Sequence, residues 1–185
     1  MKTALQPELL APDPATDHIL GPPGAPVTVI EYGDYLSEPC VQAHQAMAIL
    51  RTEFDGALRL VYRHFPDRLD HPAAELAAEA AEVMAAQGKF WPYHELLCAS
   101  GVHLNAKSLR AHAESLDSDL DRYDRELRDH VYLQRVQEYV EGAHHLDIRA
   151  LPTFFVNGTR VDVSFGMEHL DRFIRDLLHP RHGPG

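Results

Sequence analysis

Cysteine is nearly absent: 185 residues contain two, Cys40 and Cys98. Domains that rely on disulfides use several pairs, so a disulfide framework is excluded. Positive charge is short as well, with 17 Lys and Arg against 28 Asp and Glu and a formal net charge of −11. Nonspecific binding to nucleic acid or to an anionic membrane needs clustered cations and is disfavoured. The acidic excess serves solubility. No apolar run reaches the ~20 residues of a membrane span. Residues 1–16 lack the apolar stretch of a signal peptide. The expectation is a cytoplasmic chain with reduced thiols, with neither nucleic acid nor membrane as partner.

What is present is an ordinary globular composition, 45% hydrophobic, in a length that allows one domain with an inserted subdomain. Residues 1–25 read as an extended N-terminal segment. Pro7, Pro12, Pro14, Pro22, Pro23 and Pro26 work against regular structure there, and His18-Ile19-Leu20-Gly21 can dock a short apolar patch. Val27-Thr28-Val29-Ile30-Glu31-Tyr32 is β-branched and nearly all apolar, like a strand covered on both faces. Glu31 interrupts it, and a carboxylate in a buried strand needs a reason. Ser37 is a good helix N-cap residue. From there Ala43, Ala46, Met47, Leu50 and Phe54 form one helical face, closed by Asp55-Gly56. Leu58 to Phe65 reads as a second strand, so the opening is a parallel βαβ unit.

The next 80 residues or so carry no convincing strand. Residues 71–87, 89–99, 105–116 and 117–145, the last broken near Asp129, read as helices, with Asn105 capping the third. β character returns with Thr153-Phe154-Phe155-Val156 and Thr159-Arg160-Val161-Asp162-Val163. Asn157-Gly158 between them suits a type I′ hairpin turn, which needs positive φ at both central residues. Residues 166–178 are a final amphipathic helix with Leu170, Phe173, Ile174 and Leu177 facing inward, and 180–185 a frayed tail. The predicted fold is α/β and thioredoxin-like, β-α-β then β-β-α, with an all-helical insertion. Residues 26–66 and 149–179 form the thioredoxin-like domain and 67–148 the insertion.

Four ordered phrases carry a family resemblance. They are Val29-Ile30-Glu31-Tyr32-Gly33-Asp34-Tyr35 followed two residues later by the helix start Ser37-Glu38-Pro39-Cys40, Arg63-His64-Phe65-Pro66, Gly88-Lys89-Phe90-Trp91 with His94-Glu95-Leu96-Leu97, and Leu151-Pro152-Thr153-Phe154-Phe155-Val156-Asn157-Gly158. Together with Asp17-His18-Ile19-Leu20-Gly21 they resemble the DsbA-like branch of the thioredoxin superfamily over residues 17–178, cytoplasmic-type members included. The resemblance implies thiol–disulfide exchange. A first cysteine at the helix start, its thiolate favoured by the helix dipole, attacks a disulfide, and a second resolves the mixed disulfide. Here Ser37 stands in the first position and Cys40 in the second. A serine forms no disulfide, so Ser37-Glu38-Pro39-Cys40 cannot run an internal dithiol cycle.

The same resemblance makes Ser37, Cys40 and Glu31 the catalytic candidates. Glu31 would move a proton for the resolving thiol, or else it meets a polar edge or a cation. Cys40 is either a reactive single thiol or an inert remnant shielded by the turn. Asp34 reads as a turn former. Pro152 matches the family's cis-proline, with the backbone of Leu151 pairing with an extended substrate. Glu38 and Pro39 complete the substrate-facing set. Cys98 reads as a small buried hydrophobe. The 13 histidines show no spacing of a metal site. The partner is a protein or small-molecule thiol or disulfide. Kappa-class glutathione transferases share the insertion and place a serine at the turn, so glutathione is a candidate cofactor. A non-catalytic peptide-binding module is the third reading. The sequence carries no sign of oligomeric state.

Overall fold

The computed structural model describes residues 7–179; residues 1–6 and the tail expected at 180–185 lie outside the described residues. The chain forms two compact units from interleaved stretches. The first takes the described residues up to 32, then 43–63, then 152 onward; the second takes 33–42 and 64–151.

The first unit holds a mixed five-stranded sheet. Its strands are β1 (His18–Leu20), β2 (Val27–Gly33), β3 (Leu58–His64), β4 (Thr153–Val156) and β5 (Thr159–Val161), in the order β1-β3-β2-β4-β5. Strand β4 runs antiparallel to β2, Val29 opposite Val156 and Glu31 opposite Phe154. The β4–β5 hairpin turns through Asn157 and Gly158, both at positive φ (46° and 81°), as the Asn-Gly pair predicts. Asn157 also ties the hairpin to the start of β2: its side-chain oxygen accepts from the Thr28 N–H at 2.8 Å.

Helix α1 (Glu38–Glu53) contributes Ala43, Met47 and Leu50 to the core of this unit, the spacing expected of one helical face, with Phe54 just beyond it. The last helix of the chain, α7 (Glu168–Leu178), adds Leu170 and Ile174, both fully buried against Phe154 and Val156. Leu177, expected inside, is 41% exposed. Leu178, a full turn past Ile174, packs on the core in its place, as the 3.6-residue period favours.

The N-terminal segment is more regular than its prolines suggest. Pro7–Leu10 forms a 3₁₀ turn and His18–Leu20 becomes β1, paired antiparallel with β3. The prolines stop short of this stretch on both sides, which leaves its backbone N–H groups available for the ladder.

The second unit contains five helices: α2 (Ala74–Ala85), α3 (Phe90–Ser100), α4 (Ala106–Ser115), α5 (Leu120–Arg128) and α6 (Leu133–His145). Nine consecutive or near-consecutive residues of α2 are buried, from Ala74 to Met84, so it is the central helix, covered nearly all round. Its alanines allow close approach. Two glutamates on it are buried and paired, Glu79 with His130 at 3.0 Å and Glu82 with His64 at 3.2 Å. Helix α2 starts later than the expected residue 71. The Asp67 carboxylate holds the N–H groups of Leu69 and Asp70 in a turn first. Asn105 caps α4 in a reciprocal box with Ser108, and the break between α5 and α6 falls at Asp129, with His130 at φ 51°.

Candidate functional site

The chain leaves β2 at Gly33 and turns into α1 within the second unit. Asp34 organises that turn. Its buried carboxylate accepts the Leu36 N–H at 2.8 Å, a local Asx-type bond. It also accepts the Asp67 N–H at 3.0 Å and bonds to His71 Nδ1 at 2.8 Å. The Phe65 N–H donates to the Gly33 carbonyl at 2.8 Å. The turn before α1 and the loop before α2 are thereby fixed to each other. Asp34 is a turn former, as expected, and it is also the hub of the β3–α2 loop.

Ser37 sits immediately before α1. Its carbonyl accepts the Val41 N–H at 3.0 Å, and its own N–H donates to the Asp34 carbonyl at 3.2 Å. Its hydroxyl makes no hydrogen bond to another described residue, so the side-chain cap expected of it is absent and the carbonyl makes only the first bond of the helix. The residue is 7% exposed and lines a cavity of about 890 Å³. Phe65, Pro66 and Leu69 supply part of its wall, and Val140, His144 and Leu151 another. Arg68, His71 and Arg149 bring polar groups to the same space.

Cys40 is placed differently. It lies in the first turn of α1, 5% exposed, and its Sγ accepts the Asp34 N–H at 3.5 Å. Glu38 and Pro39 are exposed at the helix start. Cys98 is buried on α3, 3.7 Å from His94 Nε2, while His94 Nδ1 is bonded to the Tyr35 hydroxyl at 2.9 Å. Neither cysteine is in a disulfide.

Glu31 and Pro152 belong to the first unit. Glu31 lies mid-strand in β2. Burial pushes its carboxyl up to about 7, with His44 pulling the other way. Pro152 precedes β4 and is half-buried, as is Leu151, the last residue of the second unit. The second unit therefore brings Ser37, Glu38, Pro39, Cys40 and Leu151 into one body, with Ser37 and Leu151 on one cavity.

This strand, turn and helix carry a match to known proteins. A family model described as Thioredoxin matches residues 13–176. The chain belongs to the thioredoxin family. The Na(+)/H(+) antiporter NhaA 1 of Salinispora arenicola is 45% identical over 180 residues, 94% of this chain and 28% of that protein. The chain thus spans about a quarter of the length of the curated relatives it matches. Among solved structures, alpha-DsbA1 of Wolbachia pipientis superposes with a TM-score of 0.77 at 22% identity, covering 92% of this chain and 94% of that one. A thioredoxin-like oxidoreductase from Silicibacter pomeroyi DSS-3 gives 0.69 at 27% identity, covering 87% and 93%. The thioredoxin-like α/β fold with DsbA-like structural neighbours is established. Among the described residues no helix is long and apolar enough to cross a membrane.

For a thioredoxin-family chain the missed residues are as telling as the expected ones. His71 and the cavity walls from α6 and from Ile148 to Ala150 have no local signature. Only Arg63-His64-Phe65-Pro66 hints that the chain after β3 comes back to the turn. The burial of Cys40 leads to an expected outcome. Alkylation of Cys40 by iodoacetamide is slow in the native chain and becomes fast in urea, read by peptide mass spectrometry; rapid native alkylation contradicts the shielded placement.

Proposed function

We propose that this chain is a DsbA-like member of the thiol–disulfide oxidoreductase group that binds thiol- or disulfide-bearing ligands and does not cycle electrons internally. The observation that carries this is the division of roles at the turn. Ser37 reaches the cavity, and Cys40, the residue able to do redox chemistry, is shielded. The oxidoreductase among the structural neighbours supports the chemistry of the ligand. On this reading Leu151 offers its backbone to an extended ligand beside a cis-Pro152, and Glu38 and Pro39 form the adjoining rim. On the same reading Glu31, desolvated in its strand, is the proton-handling group. Two cysteines without a disulfide suit a reducing compartment, the cytoplasm. The antiporter name belongs to relatives several times longer and is not carried to this chain.

The native chain is expected to leave insulin unreduced above background in dithiothreitol. Turnover by the native chain overturns the proposal. Ser37 on the cavity also favours glutathione as a ligand, its sulfur accepting from the serine hydroxyl. Calorimetry with glutathione to millimolar levels, repeated on Ser37→Ala, tests that: binding lost in the variant supports it, and no heat from either removes glutathione.

A further inference from the structure

Ser37 and His71 line the cavity and Asp34 is bonded to the His71 ring, the residue types that nucleophilic catalysis uses. The Asp34 side chain is fully buried, and two backbone N–H groups fix its carboxylate beside the His71 ring. A carboxylate only accepts, so His71 Nδ1 carries the hydrogen of that 2.8 Å bond. Nε2 is then the nitrogen able to take a proton. The His71 side chain is 30% exposed and lines the cavity. Ser37 lines the same cavity, more than nine-tenths buried, with a hydroxyl that bonds to no described residue. That hydroxyl keeps an accessible face on the cavity, where a ligand can meet it. The backbone bonds to Asp34 already hold the turn to the loop; the ring of His71 adds an oriented base.

We infer that Ser37 is the nucleophile of an acyl-transfer site, with His71 as its base and Asp34 as the positioning residue. The substrate class is an ester or thioester of an apolar acyl group, matched to the walls made by Phe65, Pro66, Val140, Ile148 and Leu151. Ser37 Oγ forms a bond to the acyl carbon as its proton passes to His71 Nε2. The carbonyl oxygen takes the negative charge near the N-terminal end of α1, where the helix dipole favours it. The intermediate collapses, the bond to the leaving oxygen or sulfur breaks, and Nε2 returns the proton to it. Water then attacks the acyl-serine, giving its proton to Nε2, and the carboxylic acid leaves as Oγ recovers a proton. No oxidant or reductant is needed. Ser37 and His71 make no hydrogen bond to each other; catalytic pairs commonly tighten only when substrate draws them together.

The test uses the full chain with a fluorophosphonate probe and, separately, p-nitrophenyl butyrate. The expected result is one adduct, mapped to Ser37 by peptide mass spectrometry, with hydrolysis abolished in Ser37→Ala. His71→Gln is expected to slow both reactions about 100-fold, the usual scale of a general base. Asp34→Asn is expected to lower kcat with KM unchanged, whereas a purely structural tie moves only the melting temperature. No adduct on Ser37 at millimolar probe overturns the inference. So does an adduct formed at the same rate in His71→Gln. Ser37→Ala removes no hydrogen bond to a described residue, so its folding is not at risk and its result stands if another variant fails to fold. Thiol binding is read by other assays, so loss of this inference leaves the proposed function intact.

Discussion

Asp17→Ala is expected to lose about 3–5 kcal/mol of stability, the usual cost of stranding one member of a buried ion pair. Arg63 holds Asp17 through two bonds of 2.7 Å, from Nε and from Nη2. The two side chains are 9% and 1% exposed. The Tyr32 hydroxyl accepts from the same guanidinium at 2.9 Å, and the Ala11 carbonyl accepts from it at 3.3 Å. Burial works against the charge on Arg63, and Asp17 and Tyr32 together more than offset it, so the guanidinium stays protonated. Without Asp17 that charge remains buried among neutral acceptors. The pair also fastens the N-terminal segment to β3, so the segment bearing β1 loosens with it. Urea unfolding at neutral pH checks this, and a loss under about 1 kcal/mol would place the pair among surface ion pairs.

Glu31→Gln is expected to act in the opposite direction and only at high pH. The carboxyl of Glu31 has its pKa raised from 4.5 to about 7 in the folded chain. The folded state therefore binds this proton more tightly than the unfolded state. The ionised form is a cost that is fully present above the folded value and disappears as pH falls below the unfolded one. Replacing Glu31 by the neutral, isosteric glutamine raises stability at pH 8 by up to about 3 kcal/mol, since each pKa unit is about 1.4 kcal/mol. At pH 4 the two chains are expected to have equal stability. Denaturation curves across that range decide it; a pH-independent difference would show that the side chain acts through packing and not through its proton.

The legible parts of this molecule are those with a local physical cause. Strand β2 follows from its β-branched run, the face of α1 from the spacing of Ala43, Met47 and Leu50, and the hairpin from Asn157-Gly158. The cap at Asn105 is legible too, while the reciprocal bond from Ser108 is added by the structure. The strand β1 was hidden because the prolines around it dominate the composition, and its partner β3 lies some 40 residues away. The same holds at the site. Ser37 and Cys40 are visible as an altered helix start. Which of them reaches the cavity depends on the turn that Asp34 closes and on His71, 37 residues further along the chain. No periodicity or short motif encodes such a bond. Leu177 shows the smaller error of placing the helix face one residue off, since Leu178 packs on the core in its stead.

The division of roles between Ser37 and Cys40 is tested most directly by Ser37→Cys. The variant puts a thiol on the cavity and a second one behind it in the turn. After oxidation in a glutathione redox buffer it is expected to lose two mass units as a disulfide forms between positions 37 and 40, and to reduce insulin in dithiothreitol when the native chain does not. A variant that keeps both thiols and shows no turnover, or a native chain that already turns over, would contradict the account.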